Sequence, residues 1–181
     1  VRRKMQVVFQ DPFGSFNPRH KVARLITEPF HLHETPLNQQ ERQRLINQTL
    51  AAVGLDPSDA NKYIHQFSGG QRQRIAIARA LIIQPDLIVF DEAVSALDVS
   101  VRAQILDLLA NLSAKYNLTY LFISHDLNVV RTITDRVLVM QRGEIVEQGE
   151  TEQVFTAPNH PYTQELIAAA PVLPDLQQMK G

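Results

Sequence analysis

The sequence predicts an α/β fold with a parallel sheet, interrupted by a mainly helical insert at about residues 19–86. Two short apolar runs, 87–90 and 118–123, suit strands that are buried on both faces. A helix expected at 99–115 separates them, and strand, helix and strand alternate up to residue 140. This alternation is typical of a parallel sheet with right-handed crossovers.

Composition limits the classes of protein that this chain can represent. Its 181 residues are 44% hydrophobic and 20% charged, with a net charge of −1, so no basic field recruits nucleic acid. It has no cysteine, which excludes disulfides, thiolate catalysis and cysteine-ligated metal centres. No apolar run reaches the roughly 18 residues of a spanning helix. Because the chain opens on Val1 rather than Met, we expect it to be a piece of something longer.

The N-terminal part is predicted to hold one strand and three helices. Residues 6–9 form a short strand that runs into Gln10 and then into prolines that force a loop. Helices are expected at 22–30, with Pro29 disturbing the end of this helix, and from Asn38 to a stop at Gly54, with a shorter helix following. A single glutamine after a strand is ordinarily a solvated loop residue, so only its context can give Gln10 a function.

The stretch from Phe67 to Gln71 opens a helix that extends to about residue 83. Ser68 is a favourable N-cap, and Gly69 and Gly70 allow another group to approach the backbone. The unpaired N–H groups and the positive dipole end of such a helix suit an anion such as phosphate. The alternative is an ordinary loop before an ordinary helix.

Polar residues follow both buried strands at the point where each strand ends. Asp91 and Glu92 follow the first strand, and His125 follows the second. Open α/β sheets bind ligands at the carboxyl ends of their strands, so these three side chains could converge at one crevice. The alternatives are that the acids only start a loop and that the histidine only makes structural hydrogen bonds.

The C-terminal part is predicted to contain a hairpin and three short helices. A strand at 136–140 is followed by a turn and a second strand at 144–149. Apolar and polar residues alternate in this second strand, which indicates a hairpin partner with one exposed face. Helices are expected at 128–134, 151–155 and 162–170, and prolines lead into a loose tail.

Five motifs stand in one order along the chain: Gln10, residues 67–71, residues 87–92, residues 95–98 and His125. This order closely resembles the ATP-binding domain of ABC transporters over nearly the whole chain. The motifs match, respectively, the family's Q-loop, signature motif, Walker B strand, D-loop and switch histidine. The resemblance implies a P-loop NTPase-like α/β fold of the ABC ATPase type, with a helical insert and truncated at the N-terminus.

Three further strings resemble one subgroup of that family. They are Gln-Asp-Pro after the first strand, Ile-Ser-His-Asp-Leu, and His-Pro-Tyr-Thr at 160–163. The subgroup comprises the ATPases of dipeptide, oligopeptide, nickel and glutathione importers. We therefore expect an ATP-hydrolysing subunit of an importer of peptides or related small solutes. It would be peripheral, at the cytoplasmic face of the inner or plasma membrane, and bound to membrane-spanning permease subunits.

The resemblance implies a role for each residue of the ATP site. Asp91 would hold Mg²⁺ through water, and Gln10 would sense both Mg²⁺ and the γ-phosphate. Glu92 would orient or deprotonate the attacking water, and His125 would contact the γ-phosphate and hold the water in line. Phosphoryl transfer depends mainly on positioning and charge neutralisation, which this set supplies.

Other residues are implied to act across an interface with a second ATPase domain. The residues that would close in trans on the nucleotide of that domain are Ser68, Gly69, Gly70 and Gln71. Asp98 would cross the same interface. The helical insert would receive a helix from the permease, so that ATP-driven closure drives transport.

The largest departure from the family pattern is an absence. No Gly-x-x-x-x-Gly-Lys-Ser/Thr sequence occurs, so the phosphate-cradling Walker A loop is missing, as is the aromatic residue that stacks on adenine. In relatives the strand before that loop lies between the equivalents of 118–123 and 136–140. We therefore expect unpaired apolar edges, poor solubility and weak or no ATP binding for residues 1–181 alone. Phe67 for Leu and Ala93 for Pro are smaller departures that put no role in doubt.

Residues 1–156 are expected to form the C-terminal portion of an ABC ATPase domain, and residues 157–181 a Pro-rich extension. The leading hypothesis is a fragment of a full-length importer ATPase. One alternative is a naturally truncated subunit that lends its signature motif to a partner without hydrolysing ATP. Another is a soluble ABC ATPase of DNA repair or ribosome-associated type. Those usually carry a coiled-coil insert or a second domain, and this sequence contains neither.

Overall fold

The chain divides into two compact units, Val1–Ile123 and Ser124–Gly181, in a computed structural model that describes residues 4–11, 14–32 and 36–170. The tail expected after residue 170 lies outside the described residues. The boundary expected after residue 156, between an ATPase portion and a C-terminal extension, stays a prediction.

The first unit is built on a three-stranded parallel sheet. Its strands are β1 (Met5–Phe9), β2 (Leu87–Asp91) and β3 (Thr119–Ile123), hydrogen-bonded in that order. Branched and aromatic apolar residues dominate the strands, which is the composition of buried parallel strands. The predicted α/β fold with a parallel sheet is confirmed.

One face of this sheet is packed and the other is exposed. The packed face carries Val8, Ile88 and Phe90, each at most 1% exposed. The Phe90 ring also stacks on the ring of Phe122, with the centroids 4.7 Å apart. Large apolar side chains on the opposite face are 40–52% exposed; they are Met5, Phe9, Leu121 and Ile123. Parallel sheets are normally covered on both faces, and the described residues leave this second face largely uncovered.

The mainly helical insert lies between β1 and β2, as predicted. Its helices are α1 (Val22–Ile26), α2 (Gln39–Ala52) and α3 (Gly69–Leu81), joined by 3-10 turns at Glu28–Leu32, Pro57–Asn61 and Ile64–Gln66. The prediction of one helix over 22–30 is wrong, because α1 ends at Ile26. The hydroxyl of Thr27 donates to the Ala23 carbonyl (2.7 Å), and Pro29 has no N–H with which to continue an α-helix.

Local caps fix the ends of the helices in this unit. At the start of α2 the Glu41 N–H donates to Asn38 Oδ1 (2.8 Å), and the Asn38 N–H donates to the Glu41 carboxylate (3.0 Å). Gly54 follows α2 with a φ of 73°, the left-handed conformation that stops a helix. Helix α4 (Val99–Tyr116) then connects β2 to β3, as a parallel pair of strands requires.

Up to residue 170, the second unit contains one antiparallel hairpin and three helices. They are α5 (Leu127–Ile133), β4 (Arg136–Gln141), β5 (Glu144–Glu150), α6 (Thr151–Thr156) and α7 (Pro161–Ala169). The strand predicted at 136–140 is confirmed as β4, which in the described residues pairs with β5 alone. The prediction that this strand belongs to the parallel sheet, separated from β3 by a strand that this sequence lacks, stays a prediction.

Glu147 of β5 anchors the loop that leads into α7. Its carboxylate accepts hydrogen bonds from the N–H groups of Asn159 (2.8 Å) and His160 (3.0 Å). The hydrogen bond from the Asn159 N–H is the main cause that lowers the pKa of the Glu147 carboxyl to about 2. The imidazole of His160 caps α7 by accepting from the Tyr162 N–H (3.2 Å). The His-Pro-Tyr-Thr string therefore shapes the start of this helix.

Candidate functional site

The carboxyl ends of β1 and β2 lie side by side. In the sheet register Phe9 stands opposite Asp91, so Gln10 and Glu92 are the next residues of the two strands. Ligands of open α/β sheets bind at this edge. The sheet therefore places these side chains where the sequence predicted a site.

A pocket of about 470 Å³ opens at these two strand ends. Three of the predicted site residues line it together: Gln10, Asp91 and Glu92. The rest of its lining is Phe9, Asp11, Gly14 and Ser15. Asp11 was noted only as part of the Gln-Asp-Pro string and Ser15 was not predicted, although both lie close to Gln10 in the chain. The pocket is rich in carboxylate, amide and hydroxyl oxygens, which can accept hydrogen bonds or bind a cation.

The backbone of Glu92 is held in an unusual conformation. Its φ is 53°, in the left-handed region that costs a residue other than glycine about 1–3 kcal/mol. Its N–H donates to the Ile123 carbonyl (2.9 Å), and its own carbonyl accepts from the N–H (3.1 Å) and the hydroxyl (2.8 Å) of Ser95. Three hydrogen bonds therefore fix the backbone from which this half-buried carboxylate projects.

Asp98 has a clear structural task at the start of α4. Its Oδ1 accepts from the Val101 N–H (2.9 Å), which makes it the N-cap. The guanidinium of Arg102 donates to the Leu97 carbonyl (3.1 Å) and holds the preceding loop against the helix. A function of Asp98 across a subunit interface, predicted from the family resemblance, is not tested by these contacts.

The predicted anion site is a well-formed helix start. Ser68 and Gln71 make a reciprocal capping box at the start of α3: the Gln71 N–H donates to Ser68 Oγ (3.3 Å), and the Ser68 N–H donates to Gln71 Oε1 (3.0 Å). Ser68 uses an acceptor lone pair in this box, so its O–H can still donate. No acidic residue lies in the first turn of α3 to repel an anion.

The two glycines of this helix start differ in their surroundings. A Cβ at Gly70 would lie 2.5 Å from Cγ1 of Val101, so the packing of α3 against α4 requires a glycine there. At Gly69, nothing lies within 4 Å of the Cβ position. The described residues therefore give no packing reason for a glycine at position 69.

His125 lies just inside the second unit and is exposed. The residues on both sides of it are occupied locally. Asp126 caps α5 by accepting from the N–H groups of Asn128 (3.0 Å) and Val129 (3.4 Å), and the Asp126 N–H donates to Ser124 Oγ (3.0 Å). His125 belongs to the second unit, whereas Asp91 and Glu92 belong to the first, so the expected convergence of the three side chains stays a prediction.

A groove of about 1070 Å³ lies in the helical insert of the first unit. Among the described residues its charged lining is mostly basic, with Arg19, Lys21, Arg24 and Arg42 against one acid, Glu28. Ser15, which lines the pocket beside Asp91, lines this groove as well. No helix in the described part of the chain has the length and apolar character needed to cross a bilayer.

Comparison with protein families gives two matches. A family profile described as ABC transporter matches residues 1–95. A second profile, described as the C-terminal region of oligopeptide/dipeptide transporters, matches residues 146–181.

Individual relatives match along almost the whole chain. The oligopeptide transport ATP-binding protein AppF of Bacillus subtilis is 53% identical, over 95% of this chain and 52% of its own length. The dipeptide transport ATP-binding protein DppF of Escherichia coli is 52% identical, over 95% of this chain and 51% of its own length. The chain thus spans about half the length of the curated relatives that it matches.

A solved structure has the same fold. CbiO1 of Clostridium perfringens, described as part of the ABC transporter complex CbiONQ, superimposes with a TM-score of 0.75 and 27% identity. The superposition covers 86% of this chain and 60% of that protein.

Proposed function

Because this chain belongs to the ABC transporter family of ATP-binding proteins, in its oligopeptide and dipeptide group, we propose that it forms part of the ATP-hydrolysing subunit of an importer of peptides or related small solutes. The observation that carries this proposal is the pocket that Gln10, Asp91 and Glu92 line together. Hydrolysis is a property of the complete subunit, in which polypeptide outside these 181 residues supplies the Walker A loop.

Glu92 is the general base in this proposal. Its carboxylate accepts a proton from water as the water oxygen attacks the γ-phosphorus of ATP, and the bond to the bridging oxygen breaks to leave ADP. The three hydrogen bonds that the Glu92 backbone makes with Ile123 and Ser95 support this role, because a base must be held within hydrogen-bonding reach of the water. His125 would hold the water and the γ-phosphate in line from the second unit.

Asp91 and Gln10 fit a magnesium ion that arrives with the nucleotide. Magnesium prefers oxygen ligands and is usually bound by one or two carboxylates together with water and substrate phosphates. When bound, the ion neutralises charge on the β- and γ-phosphates.

The start of α3 would bind the nucleotide of a second ATPase domain. The open space at Gly69 supports this role, since it leaves room for phosphate oxygens to approach the backbone N–H groups. The Ser68 hydroxyl and the Gln71 side chain would add donors at the same end. Gly70 serves the packing of this helix start, and Asp98 would contact the partner domain from the start of α4.

The basic groove of the helical insert would receive a helix of a membrane-spanning permease. A groove of this size, with four basic side chains and one acid, suits a polar or acidic segment. Docking there would place the subunit at the cytoplasmic face of the membrane as a peripheral component.

Glu92→Gln in the complete subunit tests the proposal. The amide cannot accept the proton of water, so ATP binding should persist while phosphate release falls to background. Nucleotide occupancy and phosphate release would be measured together, with Glu165→Gln on an exposed position of α7 as the control. Near-normal turnover by the Glu92→Gln subunit would remove Glu92 as the base.

A second candidate is a naturally truncated subunit that supplies its signature motif to a partner without hydrolysing ATP. The reading frame upstream of Val1 separates the two candidates, because a Walker A sequence there eliminates the truncated subunit.

A further inference from the structure

Ser15 links the two cavities of the first unit. It lines the pocket that holds Gln10, Asp91 and Glu92, and it also lines the basic groove of the helical insert. A displacement of Ser15 therefore changes the shape of both cavities at once.

Arg79, in the last turn of α3, holds Ser15 and its neighbour. Its Nη1 donates to the Ser15 carbonyl and its Nη2 to Ser15 Oγ, both at 3.4 Å. The guanidinium carbon lies 4.8 Å from the ring centroid of Phe16, in a cation–π contact. Nη1 also donates to the Glu28 carboxylate at 3.4 Å. One side chain thus joins α3 to the segment after β1 and to the 3-10 turn after α1.

The Arg79 side chain is largely buried, so its contacts are held more firmly than those of an exposed arginine. Its side chain is only 18% exposed. Burial lowers the pKa of the guanidinium, and the Glu28 carboxylate acts in the opposite direction. A planar guanidinium can hold two Ser15 oxygens while it stacks on Phe16, and a lysine ammonium cannot reproduce that geometry.

Helix α3 carries the effect of this connection to the opposite end of the insert. Gly69 and Arg79 lie ten residues apart on one helix, which corresponds to about 15 Å along its axis. The helix moves as a unit because its hydrogen bonds are internal. A shift of the Ser15 segment at the C-terminal end of α3 would then displace the Ser68–Gly70 turn at its N-terminal end.

We propose that Arg79 is a positioning residue that couples the Gln10 pocket to α3 and to the permease groove through its grip on Ser15 and Phe16. The proposal rests on the proposed function, since it needs a nucleotide in the pocket and a permease helix in the groove. Arg79 touches neither; it transmits movement between them.

The test uses the complete subunit, assembled with its permease in lipid nanodiscs. Arg79→Lys keeps the charge but loses the planar contacts, and Arg79→Met also removes the charge. Arg131→Lys in the second unit is a matched control, because Arg131 also holds a carboxylate, Glu152 (2.9 and 2.8 Å), and lies 5.7 Å from the Phe155 ring centroid. The measurements are the unfolding midpoint, ATP binding, basal hydrolysis by the subunit alone, and the stimulation of hydrolysis that assembly with the permease produces.

We expect the Arg79 variants to keep the midpoint, ATP binding and basal hydrolysis, and to lose stimulation by about 2- to 30-fold, the range for residues that carry coupling between sites. The Arg131 control should keep full stimulation. Normal stimulation in a folded Arg79→Lys subunit would overturn the inference. So would loss of folding in both Arg79 variants, or an equal fall of basal and stimulated rates, since the contacts would then serve stability alone. If the unmodified complex hydrolyses no ATP, the proposed function itself fails.

Discussion

Replacing Gly70 with alanine should destabilise the first unit, whereas the same change at the adjacent Gly69 should not. A Cβ at position 70 would stand 2.5 Å from Val101 Cγ1, well inside the 3.4 Å at which ordinary contacts begin. At position 69 nothing lies within 4 Å. The two neighbouring changes are chemically identical, so they isolate the effect of packing.

The magnitude follows from two opposing terms. Overpacking of a tight contact costs about 1–3 kcal/mol, and alanine is more favourable than glycine in a helix by about 0.5–1 kcal/mol. The net loss for Gly70→Ala is therefore up to about 2.5 kcal/mol, with a middle value of about 1 kcal/mol, while Gly69→Ala is neutral or stabilising by up to about 1 kcal/mol. At about 2–4 °C per kcal/mol, the middle value lowers the unfolding midpoint of Gly70→Ala by about 2–4 °C and the upper value by up to about 10 °C.

Thermal unfolding of the complete subunit, followed by circular dichroism, measures these differences. Val101→Ala completes a double-mutant cycle, since removing both γ-carbons should recover most of the stability lost in Gly70→Ala. Equal midpoints for Gly70→Ala and Gly69→Ala would refute the packing explanation. Failure of Val101→Ala to recover the loss would refute it as well.

Three further predictions concern charge, pH and solubility. Gly69→Asp places a negative charge where phosphate should approach, so the subunit should fold and assemble but not support solute uptake in cells; unimpaired uptake would count against the anion site. The folded pKa of Glu147 is lowered to about 2 from the usual 4.5, so its stabilising contribution is complete above pH 4.5 and is lost as the pH falls towards 2. Glu147→Gln should flatten that part of the curve of unfolding midpoint against pH, and an unchanged curve would exclude Glu147 as its source. Residues 1–181 alone should be poorly soluble and bind ATP weakly or not at all, and micromolar binding measured by calorimetry would contradict this.

Features set by neighbouring residues were predictable from the sequence. Ser68 as a helix cap, Gly54 as a helix stop and the positions of the strands all follow from local patterns, and the structure confirms them. The nearness of Gln10 to Asp91 was implied by the family resemblance, and its physical basis is that the carboxyl ends of parallel strands share one edge of the sheet.

Features set by distant residues were not predictable in the same way. Arg79 and Ser15 lie 64 positions apart, and no periodic pattern relates an arginine in the last turn of one helix to a loop serine. The clash that reserves position 70 for glycine comes from Val101 on another helix. The break in the helix after Ile26 was missed because a threonine is compatible with helical spacing, although its hydroxyl here bonds back to Ala23.

The parallel sheet has a consequence for how this polypeptide is made. Met5 pairs with Leu87, about eighty residues later, and Leu87 pairs in turn with Thr119. During translation β1 must therefore stay unpaired until β2, more than eighty residues later in the chain, has left the ribosome, while the helical segment between them can already fold. Until then the apolar side chain of Phe9, and later that of Ile123, is exposed to solvent and can bind a chaperone. A pulse-chase experiment should find the nascent chain bound to a chaperone until the segments that cover these apolar side chains have been synthesised.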